Sequence, residues 1–127
     1  MSSTEVNRAI VETFVDILYR QRDVRRAFET CVVPVGYIQH NPGLPDGRDA
    51  AIAALAPKFS APGFRIDPLH VLVDGDHAVV HLKAVPAPGA RPAAVADIFR
   101  LENGLIVEHW DVIQAVPEAP VSRHPMF

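Results

Sequence analysis

The chain changes its hydrophobic period once, near Phe64, and that change limits what it can fold into more than any other feature. Before it, Val6, Ile10, Phe14, Ile17 and Leu18 recur at steps of three and four, with Glu5, Asn7, Arg8, Glu12 and Asp16 mostly opposite them. That is an amphipathic helix, expected from about residue 4 to residue 21. Ser2 and Glu5 have the spacing of a capping box at its start. A second helix is expected over Val24 to Cys31, and it cannot pass Pro34 unbroken. Val35 to Asn41 reads as a short extended piece, followed by the turn residues Asn41-Pro42-Gly43 and Pro45-Asp46-Gly47. A third helix, rich in alanine, is expected from Asp49 to Phe59.

After Phe64 the runs are β-branched and separated by turn residues at hairpin spacing. Four strands are expected, over Phe64 to Val73, His77 to Val85, Ala93 to Glu102 and Leu105 to Val116. Asp74-Gly75-Asp76 turns the first pair, Pro86 to Pro92 forms a longer loop, and Asn103-Gly104 turns the last pair. Three helices followed by an antiparallel meander is an α+β order, in which helices cover one face of a bent sheet and leave a cavity between the layers. At 127 residues, about half of them apolar, one domain spanning residues 1–127 is the expectation.

Charge narrows the choice of partner. Twelve Lys and Arg against fifteen Asp and Glu, with neither sign in a block, offer no basic stripe for nucleic acid. The polar start MSSTEVNRAI does not resemble a secretory peptide, and no apolar run approaches the roughly 20 residues that span a bilayer. The expectation is a cytoplasmic protein with neither nucleic acid nor membrane as partner. The lone Cys31 can form no disulfide within the chain and reads as a small buried hydrophobe beside Val32 and Val33.

Candidate chemistry lies in the last two strands, where Asp97, His109 and Asp111 interrupt apolar runs. A carboxylate there must be paired, neutralised or turned to a wet pocket. Alternation puts His109, Asp111 and Ile113 on one face of their strand and Glu108, Trp110, Val112 and Gln114 on the other. A two-residue type I′ turn at Asn103-Gly104 would set Asp97 opposite Trp110 and send the two aspartates to opposite faces. A type I turn with a bulge at Gly104 would set Asp97 opposite His109 and Val95 opposite Asp111, which gathers the three polar groups. The bulged form is expected, because two carboxylates flanking an imidazole can hold or relay a proton near neutral pH.

His81 joins the cluster if Val79, His81 and Lys83 face inward, although Ala78, Val80, Leu82 and Ala84 look more like the core-facing set. The segment Tyr37-Ile38-Gln39-His40-Asn41-Pro42 packs a phenol, two amides and an imidazole into six residues, groups able to orient a carbonyl or an enolate. The plainer alternative is that Asn41 and Asp46 satisfy turn backbone while Tyr37 plugs the cavity. His70, His77 and His124 read as surface or turn residues.

Tyr37-Ile38-Gln39-His40-Asn41-Pro42 with Asp46-Gly47, and Ala96-Asp97-Ile98-Phe99-Arg100 running through Asn103-Gly104 to Glu108-His109-Trp110-Asp111-Val112-Ile113-Gln114, resemble the SnoaL-like polyketide cyclase family. The likeness extends to the closing Pro125-Met126-Phe127. It implies the cone-shaped nuclear transport factor 2-like fold, with three N-terminal helices packed on a curved antiparallel sheet. It also implies a cofactor-free intramolecular aldol closure in which a strand carboxylate is the general base. By position that base is Asp111, with His109 its neighbour. Asp97 stands where the cyclases carry a histidine, a departure that changes the charge an enolate oxygen would meet.

The resemblance thus implies proton transfer on a small hydrophobic carbonyl compound, without cofactor or metal. Asp111, His109, Asp97 and His40 are the catalytic candidates; Tyr37, Gln39, Asn41, His81, Phe99 and Trp110 are the substrate-binding ones. The same fold serves epoxide hydrolysis, ketosteroid isomerisation and plain binding or dimerisation. Two further readings therefore stand beside the first: an epoxide hydrolase, which would need an arginine beside the two acids, and a non-catalytic small-molecule-binding or dimerising domain. A metal site built on His40, His81 and His109 has no local spacing to support it. A homodimer formed through the outer sheet face is the expected assembly.

Overall fold

Helix α1 spans Ser3–Val15 and buries Asn7, Val11, Phe14 and Val15; of the expected stripe Phe14 is inside, while Val6 is 41% exposed and Asn7, expected on the far side, faces the core. A computed structural model describes residues 3–127, so the proposed Ser2 cap lies outside the described residues. The helix does not continue regularly to residue 21. Asp16–Arg20 forms a π-helical turn closed by the Gln21 N–H on the Asp16 carbonyl, at 2.9 Å. The wider turn lets Ile17, Leu18 and Tyr19 all be buried in succession. Helix α2, Val24–Cys31, is capped by the Asp23 carboxylate, which accepts from the Arg26 N–H. Helix α3 spans Arg48–Ser60 and begins at Gly47, whose φ of 102° lies in the left-handed region that glycine adopts without strain.

The extended piece before α3 is a strand in its own right. β1, Ile38–Gln39, pairs parallel with the last strand and makes the sheet five-stranded rather than four. The others are β2 Arg65–Asp74, β3 His77–Val85, β4 Ala93–Glu102 and β5 Leu105–Ala115, within a residue or so of expectation. Their order is β1-β5-β4-β3-β2, antiparallel except at β1. The inner face carries Ala78, Val80, Leu82, Val95, Phe99 and Leu101 against the helices. Among the described residues no helix is long and apolar enough to cross a membrane.

The β4–β5 register departs from both geometries considered. Glu102 pairs with Leu105, and Asn103 (φ 50°) with Gly104 (φ 77°) forms a two-residue turn with both residues left-handed, as type I′ requires. No bulge sits at Gly104. The register shifts instead between Arg100↔Glu108 and Leu101↔Ile106, leaving Val107 as an extra residue on β5. Asp97 therefore lies opposite Asp111 and Phe99 opposite His109. Each expected pairing is displaced by two residues, which preserves the face, so the grouping of Asp97, His109 and Asp111 holds although its cause was misplaced.

Candidate functional site

Between the helices and the inner sheet face lies a cavity of about 460 Å3, with apolar walls and polar groups gathered at one end. That end is built by β4, β5, β1 and the π-helical turn. Asp97 and His109, each 8% exposed, are two of the few polar residues in the core. His109 Nε2 lies 2.9 Å from Asp97 Oδ1, and the other carboxylate oxygen accepts from the Tyr19 phenol at 2.5 Å. On its far side His109 Nδ1 lies 2.7 Å from Gln39 Oε1, which also accepts the Asn41 N–H at 2.9 Å. Asn41 Nδ2 donates to Asp111 Oδ2 at 2.7 Å, while its own Oδ1 accepts from Gly43 N–H.

These contacts fix the protons. Gln39 Oε1 is held as an acceptor by a backbone N–H, so His109 Nδ1 must carry hydrogen to bond it. The line from Nε2 to Asp97 Oδ1 then needs one more proton, on either atom. The pair is thus an imidazolium beside a carboxylate or an imidazole beside a carboxylic acid, and it is neutral as a unit. Two aspartates directly opposite across a ladder repel; protonating this pair removes half of that charge. Asp111 is then left to set the net charge of the base. Its Oδ1 has no hydrogen-bond partner among the described residues, and the residue lines the cavity half-buried.

Two phenols complete the base. Burial first, then the charge of Asp97 and its hydrogen bond, push the Tyr19 hydroxyl well above the ordinary phenol range. Burial and the Asp97 charge likewise raise Tyr37, against an opposing hydrogen bond from Gln39. Both remain proton donors at neutral pH.

Of the residues singled out in the sequence, Asp97, His109, Asp111, Tyr37, Gln39, Asn41 and Phe99 all line this cavity. His40, His81 and Trp110 do not. The pairing of β1 with β5, Gln39 beside His109 and Ile38 beside Glu108, turns the His40 side chain to the outer face. There it lies 2.7 Å from Glu108 and stacks on Trp110 at 4.7 Å between ring centroids. Trp110, one residue out of phase with His109, cannot cover Asp111 as a burying ring. His81 also faces outward, its Nδ1 3.0 Å from that of His70. The three imidazoles of the hypothetical metal site are therefore divided between two faces. Asp97, His109 and Asp111 do hold donor atoms within 4.8 Å of one another. Both ring nitrogens of His109 are already engaged, however, so a cation would have to break the Asp97 bond.

Arg100, the arginine nearest the acids in sequence, is also on the outer face, bound to Glu108 at 2.7 Å and Glu102 at 2.9 Å. Tyr19 is the residue that sequence reasoning missed. A tyrosine ending an apolar helical run needs a partner for its hydroxyl, but the π-helical turn that aims it could not be read from periodicity.

Residues 11–109 match the family model of the SnoaL-like domain. None of the curated proteins matches the chain. Among solved structures, TsrD from Streptomyces laurentii is 25% identical, with 86% of this chain and 88% of that one covered at a TM-score of 0.67. An NTF2-like protein of unknown function from Mesorhizobium loti is 20% identical over 91% and 96%, with a TM-score of 0.76. An LEH-like epoxide hydrolase from M. tuberculosis is 16% identical over 87% and 84%, with a TM-score of 0.68. The last two likenesses are of fold.

Proposed function

The chain belongs to the SnoaL-like domain family, and on that premise we propose that it is a cofactor-independent acid–base enzyme acting on a small hydrophobic carbonyl compound. One observation carries the reading. Asp111 keeps an uncommitted carboxylate oxygen at the polar end of an apolar cavity, beside an Asp97–His109 pair that holds a proton. Asp111 removes a proton from the carbon next to the carbonyl. The electron pair of that C–H bond moves onto the carbonyl oxygen, where the Tyr37 phenol or the Asp97–His109 proton meets the developing charge. The enolate then takes its proton back at another carbon, an isomerisation, or attacks a second carbonyl carbon in the same molecule, an aldol ring closure. Tyr19 holds Asp97 in place, and Asn41 orients Asp111. His40 takes no part.

The test is α-hydrogen exchange of 2-decanone in D2O, followed by NMR. Asp111→Asn is expected to lose about 10²–10⁴-fold in rate while melting at an unchanged temperature. A fully active variant refutes the base assignment and leaves a binding role as the better reading.

Epoxide hydrolysis is supported by a different observation, two carboxylates that each hold an oxygen within 4.8 Å of the other and of a His109 ring nitrogen. His109 would supply the cation that Arg100, on the outer face, does not. Isotope from labelled water appearing in a diol product separates this chemistry from aldol chemistry.

The outer face supports the family's dimeric assembly. Val112, beside Glu108, Trp110 and Gln114 on β5, is 64% exposed on it, and Leu72, three strands away on β2, is 60% exposed. Sedimentation is expected to give twice the chain mass, and a monomer at micromolar concentration argues against the assembly. A single buried thiol supports a cytoplasmic setting.

A further inference from the structure

The cavity is chemically asymmetric along its length. Its base holds the Asp111 charge, and its walls are the apolar side chains of Phe14, Leu18, Leu55, Phe59, Phe64 and Val95. Toward the mouth, the last turn of α3 presents Lys58, the only lysine or arginine among the described lining residues. Lys58 makes no ion pair among the described residues, whereas Arg8, Arg20, Arg25, Arg91 and Arg100 each meet a carboxylate. A neutral apolar ligand would have no use for that ammonium. A ligand carrying an anion could not place it at the base, where Asp111 would repel it and no free cation answers it. It could place it at Lys58, with the hydrocarbon between the two ends.

We propose that the ligand is an amphipathic keto acid: a carbonyl at the base, an apolar body along the walls, and a carboxylate held by Lys58 at the mouth. The volume suits a ligand of drug-like size. The charge gradient, negative inside and positive outside, selects the direction of entry as well as the class. This rests on the reading of Asp111 as the reactive end, but it concerns the opposite end of the cavity and can fail independently.

The experiment compares 9-oxodecanoate with 2-decanone, the same methyl ketone with and without a terminal carboxylate. Both are measured for α-hydrogen exchange by NMR and for binding by calorimetry, at low and high salt. The wild type is expected to favour the keto acid, more strongly at low salt. Lys58→Glu should reduce the ratio of kcat/KM for keto acid over ketone about tenfold, and Lys58→Gln about three- to fivefold, as loss of an exposed ion pair predicts. Asp111→Asn should abolish exchange of both probes yet keep the binding preference for the acid. A preference untouched by either Lys58 variant, with exchange intact, overturns the mouth assignment and spares the base. A binding preference lost in Lys58→Glu, with no exchange by any protein, overturns the base and spares the mouth.

Discussion

The two faces of the sheet each carry a histidine–carboxylate pair, and they are built from neighbouring residues. On the inner face His109 meets Asp97 at 2.9 Å; on the outer face Glu108, one residue earlier, meets His40 at 2.7 Å. The distances barely differ, but the surroundings do. The inner pair is about 10% exposed at each side chain and is tied into Tyr19 and Gln39. In the outer pair His40 is 41% exposed, and Glu108 is shared with Arg100. There the hydrogen bonds from His40 and Arg100 hold the Glu108 carboxyl below its ordinary range. Water solvates His40 whether or not it meets Glu108, and Glu108, itself 15% exposed, keeps Arg100 when His40 is gone. The inner groups have only each other, so the energy of the pair and its power to hold a proton both follow from burial.

Truncating one member of each pair tests this contrast most sharply. Asp97→Ala strands a buried imidazole and a buried phenol and is expected to cost about 3–5 kcal/mol in urea unfolding. Glu108→Ala should cost less than about 1 kcal/mol. Equal losses would mean that burial does not separate the two faces. Tyr19→Phe falls between, at about 2 kcal/mol, because it removes one donor to a charged acceptor and leaves the Asp97–His109 bond.

The smallest effect belongs to a core group with no partner of its own charge type. Burial raises the Cys31 thiol to about 11. The folded state therefore binds this proton more tightly than the unfolded one, and the resulting stability is complete below the ordinary thiol value and is lost as pH rises through 11. Ellman's reagent at pH 8 should react with Cys31 far more slowly in the native protein than in urea. Equal rates would place the thiol at the surface.

How much of this was legible depended on whether alternation alone carried the information. β3, β4 and β5 were legible because their apolar residues repeat with period two, and the inward set Ala78, Val80, Leu82 and Ala84 followed directly. The grouping of Asp97 with Asp111 was legible only as a requirement, that two charges should not be left isolated. The device that meets it, an extra Val107, hides within Leu105-Ile106-Val107, where three consecutive apolar residues break the period. His40 was misplaced because a two-residue strand is too short to be recognised. Once Ile38–Gln39 is a strand, Tyr37, Gln39 and Asn41 must point one way and Ile38 and His40 the other. Tyr19 lay beyond reach, since the π-helical turn shifts the helical phase just before it.

Val107 has a consequence of a genetic kind. Its exclusion from the ladder, rather than its identity, decides which side of the sheet everything downstream of it occupies. Replacing it with another apolar side chain changes packing and little else. Losing its codon in frame would leave the faces unchanged, with Phe99 still opposite His109 across a regular ladder, whereas pairing Val107 into that ladder would exchange the addresses of His109 and Asp111 with those of Glu108 and Trp110. The site is thus written in which residues pair as much as in their kinds, and a comparison that scores only matching letters would not notice when it had been turned inside out.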